Sequence, residues 1–310
     1  MGDRVVKKIS LIKDKYFRNG FDLRGLGGTD NDARVVKTIQ FGTEKNAPNW
    51  AIGQWSAKYS FADGSVSTIK ESSENVYEII SPTNHLTVDT NNATLVFDCT
   101  TSKNYDTPRR TDQGWHHLLV ETTFTDINDP DGFTKLSEIK DIQVECKIKL
   151  LKFEDKMLGQ ADPDVHAAQF LLYLTIHNAN KASKGFGEMI WFGLSFLDNR
   201  KEWEDESSQY DIGTKALIVG GGNQKIYPEG VNMFRDGRPY AGEDSPVFPV
   251  KVNFLETVKK AYTKAREEGY FQESELEDLY ITGMNIGWEV PGTYDVAMQL
   301  SDFDISVMTD

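Results

Sequence analysis

The sequence contains few cysteines, and this scarcity excludes two classes of protein. Cys99 and Cys146 are the only two in 310 residues, which is too few for the disulfide framework of small secreted domains. Neither has the neighbouring ligands that a zinc site needs. Each lies in an alternating apolar run, so we expect both side chains to be buried free thiols.

Basic charge and long apolar runs are also scarce. The formal net charge is −14, and no run of lysine or arginine offsets it, which argues against nucleic acid and anionic membranes as partners. No stretch approaches the roughly 20 apolar residues that a membrane span needs. The start, MGDRVVKKIS, lacks the apolar core of a secretion signal. This predicts a cytoplasmic protein as written, or a secreted one if a signal peptide has been removed.

Histidine is rare as well, with five residues and no HExxH motif, so no histidine-based metal site is predicted. The segment TDINDPDGF does place Asp126, Asn128 and Asp131 within one loop. Clustered oxygen ligands of this kind can hold a structural calcium ion. The spacing departs from that of a full calcium loop, and a turn stabilised by Asp and Asn side chains is the alternative. No other cofactor is expected.

Strand signals are abundant. Alternation of period two, rich in Thr, Val, Ile and aromatic residues, predicts strands at 35–41, 50–61, 94–99, 117–124, 141–153, 168–176, 188–197, 216–219, 280–289 and 294–307. Polar turns separate them. Many strands with few helices predict an all-β fold, a two-sheet antiparallel jelly-roll sandwich.

One helix interrupts this pattern. Asn253 and Glu256 have the spacing of a capping box, and Gly269 can end the helix. A shorter helix is predicted over 273–279. We expect one jelly-roll domain over 1–310, with a loop and helix insertion at about 199–279.

The three predicted strands at 168–176, 188–197 and 280–289 each have one apolar face and one unusual polar face. The polar faces carry amides, hydroxyls, aromatic rings and a carboxyl, whereas a solvent-exposed face more often carries Lys and Glu. Aromatic platforms cover sugar rings, and amides or carboxylates bind sugar hydroxyls. We therefore expect a carbohydrate ligand in a concave groove, bound by Trp191, Tyr173, Gln169, Asn285, His177 and Trp55. Coverage of this face by the 199–279 segment is the structural alternative, in which no glycan binds.

Two short motifs resemble a known family. Met189-Ile190-Trp191 follows Glu188, and Gly287-Trp288-Glu289 precedes a Pro-Gly turn and the last strand. In order and position these motifs are similar to those of the family-twelve endoglucanases, within the concanavalin-A-like jelly-roll superfamily. The segments WHHLLVETTF, IWFGLSFLDNR and GMNIGWEVPGTYDV also resemble a group of bacterial sandwich proteins. These resemblances imply a sandwich fold, a polysaccharide context and, from the endoglucanases, retaining hydrolysis by two carboxylates.

The second reading is therefore a glycoside hydrolase, in which Glu289 is the general acid/base. The resemblance implies Glu188 as nucleophile. A regular strand, however, directs the Glu188 side chain to the core face with Ile190, and only a β-bulge would turn it towards the groove. Glu121 lies on the polar side of its own strand and is the other candidate partner. Asp198 is a weaker one. The two carboxyls must lie about 5 to 5.5 Å apart in a retaining enzyme.

Overall fold

The computed structural model describes residues 6–27, 34–42, 46–106, 108–211, 214–227 and 231–309. The first nine strands within these ranges are β1 (Lys7–Ser10), β2 (Phe21–Arg24), β3 (Val35–Ile39), β4 (Trp50–Gly53), β5 (Thr68–Ser73), β6 (Val76–Ile80), β7 (Asn84–Asp89), β8 (Thr94–Thr100) and β9 (His116–Thr123). The others are β10 (Asp141–Asp155), β11 (Gln169–Asn178), β12 (Met189–Asp198), β13 (Ser207–Asp211), β14 (Ala216–Gly220), β15 (Phe234–Arg235), β16 (Arg238–Pro239), β17 (Phe248–Asn253), β18 (Leu279–Val290) and β19 (Tyr294–Thr309).

These strands form two large sheets, which confirms the predicted all-β sandwich. One sheet has the order β17-β10-β19-β8-β7-β6-β5, with β1 also paired to β19. The other has the order β13-β14-β12-β11-β18-β9-β4-β2-β3. Pairing is antiparallel throughout the first sheet, and the second contains two parallel pairs, β12 with β14 and β2 with β4. The short strands β15 and β16 form a separate hairpin.

The core lies between the two sheets, and Trp288 joins them. Its side chain is fully buried, and its indole Nε1–H donates to the Phe97 carbonyl oxygen on β8 at 3.1 Å. Phe170 packs edge-on against both Trp288 and Phe97, with centroid distances of 5.2 and 5.5 Å. The apolar faces predicted for β11, β12 and β18 are thus confirmed as core, and the polar faces point outward. Cys99 and Cys146 are buried free thiols, as expected.

The helix α1 spans Leu255–Glu267 and packs through Leu255, Val258, Ala261 and Ala265. The predicted cap is wrong. Phe254 precedes the first helical residue with no side-chain cap, and the Asn253 side chain instead accepts a hydrogen bond from Gln143 at 2.7 Å. The shorter predicted helix is also wrong, because only a 3-10 turn, Leu276–Asp278, forms there. Two further 3-10 turns are Thr101–Lys103 and Gly132–Thr134. Within the described residues, no helix is both long and apolar enough to cross a membrane.

The segment 199–279, which was predicted to be an insertion, supplies β13 and β14 to the nine-stranded sheet and β17 to the eight-stranded sheet. Its β13 lies at the edge of the nine-stranded sheet, next to β14. The predicted strand 50–61 is also shorter than expected, since β4 ends at Gly53.

Candidate functional site

The outer face of the nine-stranded sheet carries two adjoining cavities. Their volumes are about 600 and 660 Å³, within the range of about 300–1,000 Å³ that is usual for small-molecule sites. Trp191 and Asn285 contribute to the walls of both. The two cavities are therefore the halves of one cleft across β2, β4, β9, β18, β11 and β12.

We call the cavity of about 660 Å³ the aromatic half. Its walls are Trp55, Trp115, His117, Gln169, Tyr173, Trp191, Gln209, Tyr210, Asp211, Thr214, Ile218, Asn285 and Glu289. Tyr173 lies directly opposite Gly193 on β12, and a Cβ at that glycine would lie 2.7 Å from the Tyr173 ring. The missing side chain lets the ring lie across the neighbouring strand, where it meets Trp191 edge-on at 6.0 Å and 72°.

A hydrogen-bonded relay fixes the orientation of Trp191. Its Nε1–H donates to the Thr214 hydroxyl oxygen at 3.0 Å, and the Thr214 hydroxyl donates to an Asp211 carboxylate oxygen at 2.5 Å. The relay connects β12 to the end of β13. An indole with both a ring contact and a directed hydrogen bond loses little rotational freedom when a flat ligand stacks on it.

Glu289 lies on the floor of the aromatic half with 15% of its side chain exposed. Its Oε1 is 3.8 Å from His117 Nε2, and His117 Nδ1–H donates to the Trp115 carbonyl oxygen at 2.6 Å. Burial raises the pKa of Glu289, His117 partly offsets that rise, and the negative charge of Asp211 adds to it. A carboxyl with such surroundings can hold a proton at a pH where an exposed glutamate has lost it.

Asn285 lies where the two halves meet. Its side chain is only 6% exposed, and its Oδ1 is a buried acceptor with no hydrogen-bond partner. Buried polar atoms are nearly always paired in folded proteins, and an unpaired one costs about 1–3 kcal/mol. A ligand that donates a hydrogen bond at this position would satisfy the atom.

We call the cavity of about 600 Å³ the charged half. Its ionisable wall residues are Lys13, Asp22, Arg24, Glu121, Asp126 and His177. Arg24 Nε donates to Glu121 Oε1 at 2.6 Å, so these two charges are paired. His177 Nδ1 and the Thr282 hydroxyl are 2.6 Å apart, and burial lowers the pKa of His177 to about 4. This end of the cleft is polar and close to charge balance.

All six residues predicted to bind carbohydrate line the cleft. Trp191, Tyr173, Gln169, Asn285 and Trp55 border the aromatic half, and His177 borders the charged half. The amide of Gln169 is partly engaged, because its Nε2 donates to Asp198 Oδ2 at 2.8 Å.

The predicted catalytic partners Glu121, Glu188 and Asp198 are not among the residues that line the aromatic half with Glu289. On β9, Glu121 pairs with Asn285, whereas Glu289 pairs with His117; this offset of four residues on adjacent strands puts the two Cα atoms about 14 Å apart. The Glu121 carboxylate is paired with Arg24 in the charged half. Glu188 lies outside the cleft walls and accepts a hydrogen bond from the Ser274 hydroxyl at 2.6 Å. Asp198 is held by Arg200 through several hydrogen bonds.

The loop predicted to hold calcium forms a turn. Asp126 Oδ1 accepts from the backbone and side-chain nitrogens of Asn128, at 2.8 and 3.1 Å, and the Asp131 backbone N–H donates to Thr125. Throughout the described ranges, no group of three or more His, Cys, Asp or Glu side chains could hold a metal ion. Calcium binding at Asp126, Asn128 and Asp131 stays a prediction.

The cleft residues that were not predicted from the sequence include Trp115, Tyr210, Asp211 and Arg24. Trp115 and Tyr210 are 43% and 49% exposed, and both lie outside the predicted strands, so no alternation assigned either of them to a face. Asp211 reaches the cleft because β13 pairs with β14 at the edge of the sheet. The signal that could have indicated it is the Tyr210-Asp211 pair at the end of a polar strand.

No protein-family model matches the chain, and no curated protein matches it. Solved structures do show similarity. An endoglucanase from Rhodothermus marinus is 7% identical with a TM-score of 0.40, over 79% of this chain and 100% of that one. A family 12 xyloglucanase from Bacillus licheniformis is 13% identical with a TM-score of 0.42, over 78% of this chain and 99% of that one. The endoglucanase family to which the sequence motifs pointed thus recurs among structurally similar proteins. At these identities and TM-scores, the fold rests on this chain's own strand pairing and the site on its own geometry.

Proposed function

We propose that the protein binds an oligosaccharide or polysaccharide in the cleft on the outer face of the nine-stranded sheet. The observation that carries this is the aromatic half. Three tryptophans and two tyrosines surround a floor on which Asn285 and Glu289 offer hydrogen-bond acceptors. Apolar ring faces and a few convergent polar groups are what a sugar needs, since each sugar ring has an apolar face and a rim of hydroxyls.

The test is an array of glycans probed with the wild-type protein, followed by titration calorimetry with the best oligosaccharide. Trp191→Ala should weaken binding at least tenfold, because the residue borders both halves and contributes a ring that stacks on the ligand. Trp203→Ala is the matched control, because Trp203 is 39% exposed and lies outside the cleft walls. Equal affinities of the two variants would contradict the proposal.

A glycoside hydrolase acting on a plant-type or bacterial polysaccharide is the second proposal. One observation favours it: Glu289 has a raised pKa, and Asp211, in the same half of the cleft, contributes to that rise. A carboxyl with a raised pKa in the same cleft as a second carboxyl is an arrangement found in glycosidases. Asp211 therefore replaces Glu121 and Glu188 as the partner to test.

A reducing-sugar assay on wild type and Glu289→Gln separates binding from hydrolysis. Glutamine keeps the shape of the side chain and removes the titrating proton. Sugar release by the wild type alone, with binding kept in the variant, would establish the hydrolase. Binding without release in both proteins would leave glycan recognition as the function.

A further inference from the structure

Asn285 is isolated on the floor of the cleft. Its nearest neighbours on the same face of β18 are Gly283 and Gly287, so its amide is the only side chain on that face between them. Asn285 lines both halves of the cleft. A ligand that extends from one half into the other therefore passes over this amide.

The side chains opposite Asn285 on the two adjacent strands are directed away from it. These are Glu121 on β9 and Tyr173 on β11. The Glu121 carboxylate accepts a hydrogen bond from Arg24 at 2.6 Å, and Arg24 is on β2, on the far side of β9 from β18. The Tyr173 ring lies against Gly193 of β12, on the far side of β11. Neither side chain is therefore placed to satisfy the amide.

The amide of Asn285 consequently has no partner in the part of the chain that the structure describes. The residue is only 6% exposed and its Oδ1 is a buried acceptor without a hydrogen bond. No described residue hydrogen-bonds to its Nδ2 either. Buried polar groups are nearly always paired, so we expect a ligand to supply the partner. The last torsion of an asparagine side chain is soft, so an amide that the protein does not hold can turn to meet that ligand.

A pair of adjacent sugar hydroxyls matches an amide whose two ends are free. The amide combines an oxygen acceptor with N–H donors, and a hydroxyl can either donate or accept. One hydroxyl donates to Oδ1 while its neighbour accepts from Nδ2, in either orientation of the amide. A single hydroxyl would leave one end unpaired beneath a ligand that excludes water, which is unfavourable.

We propose that Asn285 determines the specificity of the cleft by binding two adjacent free hydroxyl groups of one sugar unit. This inference rests on the proposed glycan-binding function and specifies its ligand class. In a pyranose polymer linked through the first and third carbons, internal units have no two adjacent ring hydroxyls. Units linked through the first and second or the first and fourth carbons retain such a pair. The cleft therefore selects linkages of the second kind.

The test on the ligand side uses the oligosaccharide that the array selects, in versions that each lack one hydroxyl group. We expect calorimetry with the wild type to show two sensitive positions, on adjacent carbons of one sugar unit. Loss of either hydroxyl should weaken binding about two- to twelvefold, the size of one net hydrogen bond. In Asn285→Leu these two versions should bind as the parent oligosaccharide does, because the amide that distinguishes them is gone.

The test on the protein side compares Asn285→Leu with Asn178→Leu. Asn285→Leu should bind the parent oligosaccharide at least about fivefold more weakly. Its urea midpoint should be no lower than that of the wild type, because the substitution removes an unpaired buried group. Asn178 is the matched control, because it is fully buried outside the cleft walls and its Nδ2 donates to Ser183 and Ser274 at 2.8 and 2.7 Å. Asn178→Leu should unfold at a lower urea concentration.

The other outcomes separate this inference from the function on which it rests. Wild-type affinity in Asn285→Leu, or a urea midpoint lowered as in Asn178→Leu, would overturn the role of the amide. Tightest binding of a polymer linked through the first and third carbons would overturn the hydroxyl-pair assignment. Each of these results would leave glycan binding in place. Retention of no glycan by the wild type would overturn both.

Discussion

Gly193→Ala tests whether the packing of Tyr173 over a glycine controls the ligand platform. The new methyl group would lie 2.7 Å from the Tyr173 ring, so the ring must move. Tyr173 borders a cavity of about 660 Å³, and it can move into that space instead of into the core. We therefore expect the free energy of unfolding to change by less than about 1 kcal/mol, below the 1–3 kcal/mol that overpacking of a closed core costs.

Ligand affinity should respond more strongly than stability. Displacing Tyr173 breaks its edge-on contact with Trp191, and such pairs contribute about 0.5–1.5 kcal/mol. If the bound state loses this contact energy, affinity for the oligosaccharide that the array selects falls about two- to twelvefold. Calorimetry measures the affinity, and urea unfolding followed by circular dichroism measures the stability.

A double-mutant cycle isolates the cause. In a Tyr173→Ala background the ring is absent, so Gly193→Ala should have no further effect on affinity. An equal loss with and without the Tyr173 ring would refute the reasoning, as would wild-type affinity in Gly193→Ala alone.

Two further predictions concern the interior. Burial lowers the pKa of His116 to about 3, from about 6.5 in an exposed histidine. Between these pH values the unfolded state binds a proton that the folded state does not. The free energy of unfolding should therefore fall as the pH drops from about 6.5 towards 3, by at most about 5 kcal/mol. His116→Gln should flatten this dependence in urea titrations at several pH values, and an unchanged slope would contradict it. Trp288→Phe removes the hydrogen bond to the Phe97 carbonyl and leaves a cavity between the sheets, so urea unfolding should show a loss of about 2–4 kcal/mol; a loss below about 1 kcal/mol would show that this junction is dispensable.

The sequence predicted best what depends on local alternation. Side chains two residues apart share a face of a strand, so the outward positions of Tyr173, Trp191 and Asn285 followed from the apolar positions between them. The same rule placed Glu188 away from the groove, where the structure has it bonded to Ser274. The fold class could be predicted for a similar reason, because many alternating runs separated by polar turns are compatible with only a few all-β architectures.

Contacts that depend on the order and register of the strands could not be predicted from the sequence. β18 lies between β11 and β9, and the register of β18 with β9 pairs Glu121 with Asn285 and not with Glu289. Likewise, Asp211 enters the aromatic half because β13 joins the sheet edge through β14. The predicted Asn253 cap failed because Gln143, on the neighbouring strand, competes for the same side chain.

Glycan binding in the cleft is tested most directly by a crystal structure of the protein soaked with the oligosaccharide that the array selects. We expect a sugar ring stacked against Trp191, with a donor within hydrogen-bond distance of Asn285 Oδ1 and a second sugar unit extending towards Arg24 or His177. A ligand bound on the eight-stranded sheet, or at any site that leaves Asn285 Oδ1 without a partner, would contradict it.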